Sequence, residues 1–130
     1  MIPFRCVLEA GSPAHEQVAF AARKAIVSGK LRPGDAFPSV RALSKAIKIH
    51  ANTAQKVVGQ LIAEGLLEAR PGIGTVVCQP PAGLRADRAR LLGRDVEQLT
   101  VEAMQLGVSL EEVQSAVAAC WRRMRREEAV

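Results

Sequence analysis

Asn52, Gln55 and Lys56 lie within residues 51–64, a segment whose apolar residues repeat with the period of a helix. Side chains three and four residues apart share one helix face, so these three polar groups point the same way. The amides of asparagine and glutamine can each pair with an adenine edge through two hydrogen bonds, and a lysine can bind a phosphate. Asn52 could instead bond its own backbone at the helix start, and Lys56 could be an ordinary surface lysine.

Three further residues could contribute to the same chemistry. Arg41 follows Ser39, the predicted N-cap of a short helix, where a cation interacts unfavourably with the helix dipole. A phosphate or a guanine would explain that position better than a solvated charge. Arg70 could bind a phosphate, and His50 could contact a nucleic acid, cap a helix or titrate. A metal site is not predicted, because His15 is the only other histidine and no carboxylate cluster accompanies it.

The elements that must position these residues can be predicted from caps, turns and apolar periodicity. Ser12 is the expected N-cap of a first helix, and residues 3–9 could form a strand or an extended arm. The expected helices and strands, in chain order, span residues 13–28, 40–47, 51–64, 66–70 and 75–78. The apolar stripe of the third helix is Ala54, Val57, Val58, Leu61 and Ile62. This order predicts a winged helix-turn-helix, mainly α with a small β-hairpin wing.

A second segment follows a proline- and glycine-containing stretch at residues 79–83, which we interpret as a linker. The predicted domains are therefore 1–78, with the winged helix, and 84–130. Residues 84–106 and 110–127 are predicted to form two helices, each with an apolar seam of the coiled-coil kind. The seams are Leu92, Val96, Leu99, Ala103 and Leu106, and Leu110, Val113, Val117, Cys120 and Met124. Ser109 and Glu112 form a capping box before the last helix, and Trp121 is expected in the core of a dimer.

Composition and charge agree with a nucleic-acid partner without requiring one. The chain has 130 residues and a net charge of +5, and only 3% of its residues are aromatic. Residues 1–78 hold ten lysines and arginines against five acidic residues, whereas residues 79–130 hold eight of each. The basic excess therefore coincides with the predicted winged helix. The three isolated cysteines and the absence of a long apolar run predict a cytoplasmic protein with reduced thiols and no membrane span.

Several stretches together resemble the GntR family of bacterial transcriptional regulators. They are GKLRPGDAFPSVRALS at residues 29–44, IHANTAQK at 49–56, LIAEG at 61–65 and GIGTV at 72–76. The likeness extends over about residues 12–78, and its many fixed spacings make it specific. The short two-helix tail resembles the YtrA-like subfamily, in which such a tail serves dimerisation.

The resemblance implies which residues meet DNA. The implied contacts are Arg41 in the second helix, His50, Ala51, Asn52, Thr53, Gln55 and Lys56 in the third, and Gly72 and Gly74 at the tip of the wing. Four positions depart from the usual family residues, namely Ala42, His50, Ala51 and Val58. The expected DNA-reading residues therefore differ from those of relatives, and no relative's operator sequence can be assumed for this chain.

We interpret the chain as a homodimeric transcriptional repressor that binds double-stranded DNA at an inverted-repeat operator. Two amphipathic helices in about 40 residues cannot bury their seams alone, so a second copy would supply the missing face. The expected dimer contacts are Leu92, Val96, Leu99, Leu106, Val113, Val117 and Trp121. No cofactor is expected, and a small-molecule effector between subunits or beside the wing is possible. The alternatives are a winged-helix module that binds proteins, and a fragment of an enzyme, although no catalytic set supports the latter.

Overall fold

The computed structural model describes residues 2–78 and 85–128, so the predicted linker at 79–83 lies outside the described residues. The chain divides into two units, which hold the described residues 2–78 and 85–126 respectively. The first unit contains three helices and two strands: α1 (Ala14–Val27), α2 (Val40–Ile47), α3 (Ala51–Ala63), β1 (Leu67–Arg70) and β2 (Gly74–Val77). The strands form an antiparallel hairpin, which confirms the predicted winged helix-turn-helix.

The start of α1 differs from the prediction. Pro13, not Ser12, occupies the N-cap position, and no side chain caps the helix. Pro13 has an extended backbone, and its carbonyl accepts hydrogen bonds from the Glu16 and Gln17 amides at 3.2 and 3.3 Å. Residues 3–9 form no strand. They are held beside α1 by Gln17, whose side chain bonds the backbone N–H and C=O of Glu9 at 2.8 and 2.7 Å.

The core of the first unit lies where α1 and α2 pack on α3. Val18 of α1, Leu43 of α2 and Leu61 of α3 are fully buried. The predicted stripe of α3 is correct at its first four positions, but Ile62 is exposed because it lies at the edge of the buried face. The core also includes Phe4, whose ring stacks on that of Phe37 with centroids 5.9 Å apart.

The hairpin is tied to the chain that precedes α2. Leu67 pairs with Val77 and Arg70 with Gly74, which sets the register of β1 and β2. On its other side β2 bonds to residues 34–37. The Gly34 N–H donates to the Val77 carbonyl at 2.8 Å, the Val77 N–H to the Asp35 carbonyl at 2.9 Å, and the Phe37 N–H to the Thr75 carbonyl at 2.9 Å. The wing therefore shares a backbone ladder with the α1–α2 connection.

The second unit consists of helices alone among its described residues. Its elements are α4 (Arg85–Arg90), a π-helical turn (Leu91–Asp95), α5 (Val96–Gln105) and α6 (Leu110–Glu128). The single helix predicted for residues 84–106 is therefore interrupted by a wider turn around Gly93, which has low helix propensity. The capping box is confirmed, since the Ser109 N–H donates to Glu112 Oε1 and the Glu112 N–H to Ser109 Oγ, both at 3.1 Å.

Candidate nucleic-acid interface

The outward face of α3 carries the predicted base-reading side chains. Asn52, Gln55 and Lys56 are exposed, whereas Ala54 and Val57 on the other face are buried. The apolar stripe thus fixes the helix on the core and leaves the three polar groups in solvent. Within the described residues none of the three has a side-chain hydrogen bond or ion pair to protein. Their donors and acceptors are available to a partner.

The N-terminal end of α3 is left open as well. His50 occupies the N-cap position without a side-chain bond to the helix, and it is exposed together with Ala51. Thr53 is half-buried. The uncapped first-turn N–H groups carry the positive end of the helix dipole, which favours an anion such as a phosphate. The His50 side chain thus does not cap the helix, and its contact with DNA stays a prediction.

The turn between α2 and α3 is rigid. Lys48 adopts the left-handed conformation with φ of 61°, which is uncommon for a residue other than glycine. The Ile49 N–H donates to the Ser44 carbonyl at 3.1 Å, and the Ser44 hydroxyl donates back to the Ile49 carbonyl. This reciprocal pair closes the turn over Lys48. It holds α3 at a fixed angle to α2 and compensates for the backbone strain.

Arg41 lies on the exposed side of α2, one residue inside the helix. Ser39 caps that helix as predicted, since its Oγ accepts a hydrogen bond from the Ala42 N–H at 3.1 Å. Arg41 has no carboxylate partner among the described residues, and α2 has no acidic residue in its first turn. A free guanidinium at a positive helix end is consistent with the prediction that it binds an anion or a guanine.

An ion pair that sequence reasoning missed connects α1 with the end of α3. Arg23 binds Glu64 through two hydrogen bonds, Nε to Oε1 at 2.9 Å and Nη2 to Oε2 at 3.0 Å. This bond from Arg23 is the main reason that the pKa of Glu64 is lowered. The two residues are 41 positions apart in the chain, so no local pattern could have predicted the pair. It ties the C-terminal end of α3 to α1.

The wing presents its tip to solvent. Gly72 and Gly74 have φ of 78° and 114°, a conformation that strongly favours glycine. Between them Ile73 is exposed, a feature of the tip that the sequence did not single out. Arg70 lies 3.7 Å from Glu68 in an exposed ion pair, so a phosphate would have to compete with that carboxylate.

Gly59 lies in the middle of the exposed face of α3. A side-chain carbon added there would meet no atom within 4 Å. Packing against a neighbouring helix therefore does not require this glycine, although glycine has a low helix propensity.

The second unit leaves its apolar seams uncovered. None of residues 86–126 is buried. Leu92, Val96, Leu99, Leu106, Val117 and Trp121 are exposed, and Val113 is half-buried. So many exposed apolar side chains on amphipathic helices are typical of an interaction surface. Within the described residues no cluster of histidine, cysteine or acidic groups could hold a metal ion.

Comparison with known proteins identifies the family. The model of the bacterial regulatory proteins of the gntR family matches residues 14–77. The chain is also 30% identical over 103 residues to the HTH-type transcriptional repressor YtrA of Bacillus subtilis (strain 168), covering 78% of this chain and 79% of that protein. The chain belongs to the GntR family. The prediction of a DNA-binding transcriptional regulator is thereby confirmed.

Solved structures share the fold of this GntR protein. A transcriptional antiterminator from Listeria monocytogenes EGD-e has the same fold, with a TM-score of 0.79 at 19% identity over 93% of this chain and 92% of that one. The DNA-binding domain of AraR in complex with operator ORX1 is 29% identical, with a TM-score of 0.50 over 55% of this chain and 87% of that chain. No helix among the described residues is long and apolar enough to cross a membrane.

Proposed function

We propose that this GntR protein is a cytoplasmic repressor that binds an inverted-repeat operator as a homodimer and catalyses no reaction. The observation that carries the proposal is the exposed face of α3, on which Asn52, Gln55 and Lys56 have no side-chain partner among the described residues. The helix is held on the core by α1 and α2 and is flanked by the wing. A helix presented in this way fits the major groove of B-DNA. YtrA is named a repressor, and the AraR domain was solved on its operator.

Each part of the surface has a separate role in this proposal. Gln55 and Asn52 read base edges, because their amides offer a donor and an acceptor side by side. Lys56 and Arg70 neutralise phosphates, while Arg41 binds a phosphate or a guanine. Gly72 and Gly74 allow the wing backbone to approach the minor groove. The remaining proposed contacts, at the start of α3, are His50, Ala51 and Thr53.

The second part of the proposal concerns the tail. We assign residues 1–78 to DNA binding, 79–83 to a linker and 84–130 to dimerisation. No side chain is buried among residues 86–126, and so few contacts cannot offset the entropy of ordering the chain. A second copy is the simplest source of the missing contacts. The proposed contacts are Leu92, Val96, Leu99, Leu106, Val113, Val117 and Trp121. Two linked winged helices would then read two half-sites related by a two-fold axis.

Selection of bound sequences from a random DNA pool tests the function. We expect an inverted repeat to be enriched, with affinity that falls steeply as salt rises. Selection with Gln55→Ala should lose the preference at one base pair in each half-site. Gln60→Ala is the matched control, because Gln60 is an exposed glutamine on α3 whose amide already bonds Glu64 at 3.2 Å.

Two results would contradict this reading. If the folded dimer enriches no sequence even at low salt, the winged helix is a protein-binding module instead. If Gln55→Ala selects the same motif as the unchanged protein, Gln55 does not read a base.

A further inference from the structure

A groove runs between the N-terminal segment and α1, on the first unit. Its volume is about 590 Å³, and its lining residues come from within residues 5–12 on one side and within residues 16–24 on the other. A smaller cleft of about 140 Å³ shares Arg5, Ala21 and Lys24 with it and adds Lys30. The larger volume lies within the range of small-molecule sites. None of the residues assigned above to DNA binding or dimerisation lines either space.

The N-terminal wall of the groove is hydrogen-bonded to α1. The Gln17 side chain makes three hydrogen bonds to the segment, two to the backbone of Glu9 and one to the Ser12 carbonyl at 2.9 Å. Phe4 anchors the start of the segment in the core through its stack on Phe37. A preformed wall reduces the ordering cost of binding.

The lining divides into an apolar part and a cationic part. Phe20 is 62% exposed and lies with Val7 and Ala21 in the larger space. Arg5, Lys24 and Lys30 line the smaller cleft, and none of them has a carboxylate partner among residues 2–78 and 85–128. Three cations without a counter-charge around one cleft favour an anion.

The two spaces differ in their balance of charge. Glu9 and Glu16 line the larger space, where Arg5 and Lys24 balance them, and neither carboxylate lines the smaller cleft. The smaller cleft has Lys30 in addition to Arg5 and Lys24, so its lining is net positive. This difference favours a ligand whose negative group lies in the smaller cleft.

We propose that this groove binds a small amphipathic anion. Its carboxylate or phosphate group contacts Arg5, Lys24 and Lys30, and its alkyl or aryl body covers Phe20 and Val7. Each part of the ligand matches the part of the groove that it contacts. The apolar body removes the exposed Phe20 ring from water, and the head group neutralises the cations.

A consequence for regulation rests on the proposed function. The groove is built on α1, which packs against α3 and is joined to its end by the Arg23–Glu64 pair. A ligand that shifts α1 would alter the position of the DNA-reading face. Thermodynamic linkage then requires that operator DNA changes the ligand's affinity by the same factor.

Calorimetry on the full chain without DNA tests the site itself. The probes are octanoate, octyl phosphate, octylammonium and acetate, each below its micellar concentration. We expect octanoate or octyl phosphate to bind with a Kd of about 1 mM or tighter, and octylammonium and acetate at least about tenfold more weakly. Operator affinity is measured separately with and without the bound probe, so failure of DNA binding leaves the ligand result intact.

Two pairs of variants separate the groove from the general surface. Phe20→Ser should weaken the affinity for octanoate by about tenfold. Val27→Ser should leave this affinity unchanged, since Val27 is also 62% exposed on α1 but lies outside the groove. Lys30→Gln should weaken the affinity for octanoate about threefold, and Lys45→Gln, at an exposed lysine outside the groove, is the control that should leave it unchanged. Equal binding of octanoate and octylammonium, no binding of either anion, or equal effects within each pair would overturn the proposal.

Discussion

Replacement of Trp121 by alanine should separate the chains of the proposed dimer. The side chain is 64% exposed in the single chain. A tryptophan buries roughly 200 Å², so about 130 Å² remain for a partner to cover. At about 25 cal/mol per Å² this area contributes about 3 kcal/mol per chain, and two copies contribute about 6 kcal/mol. Alanine retains part of that area, so we expect a loss of about 4 kcal/mol, or an increase in the dimer Kd of about a thousandfold.

Sedimentation velocity over a range of protein concentrations measures this change. Val27→Ala provides the control, because Val27 is 62% exposed but belongs to α1 in the first unit. We expect this variant to dimerise like the unchanged protein. The interface assignment would be refuted if Trp121→Ala shifted the dimer Kd by less than about threefold, the change of a peripheral contact. A monomeric unchanged protein would refute it outright.

Three further changes test other parts of the surface. Lys56→Ala should weaken binding to all DNA sequences alike and reduce the slope of log K against log salt by about one, as seen in titrations at several salt concentrations. Glu64→Gln should lower the free energy of unfolding by about 1 kcal/mol at neutral pH, since it removes a half-exposed double hydrogen bond to Arg23. Because the pKa of Glu64 is lowered in the folded state, this contribution is present above the ordinary glutamate pKa of about 4.3 and is lost as the pH falls through the lowered value. Urea unfolding at several pH values should therefore show the free energies of unfolding of the two proteins converging in acid. A difference that stays constant with pH would contradict the pairing. Gly59→Leu should leave the fold intact in circular dichroism, because the added side chain meets open space. The same variant should weaken operator binding in a mobility-shift titration. Unchanged affinity would mean that DNA does not approach this position.

The parts of the fold that the sequence predicted depend on short-range signals. Ser39 caps α2, and Ser109 and Glu112 form the reciprocal cap of α6, because both motifs act over three residues. The stripe that orients α3 follows from helical periodicity in the same way. Ser12 was predicted wrongly because Pro13, just after it, already has the extended backbone of a cap.

The features that could not be predicted depend on distant or isolated residues. Phe4 lies in a segment without periodicity, and its burial follows only from the position of Phe37. Arg23 and Glu64 meet because α1 and α3 cross, which no sequence spacing encodes. The π-helical turn at residues 91–95 contains one residue more than an α-helical turn. It could not be predicted because the apolar residues of this segment are spaced three and four apart, as in a regular α-helix. The exposure of Asn52, Gln55 and Lys56 follows from the sequence, since polar positions on an amphipathic helix need no tertiary information, whereas their contact with DNA stays a prediction.

The backbone ladder between β2 and residues 34–37 has a consequence for the speed of recognition. A hairpin attached only at its ends would sample many orientations, and each docking event would have to select one of them. Here both edges of β2 are hydrogen-bonded, one to β1 and the other to residues 34–37. A hairpin attached on both sides loses less conformational entropy on encounter with the duplex, which favours rapid capture over slow mutual adjustment.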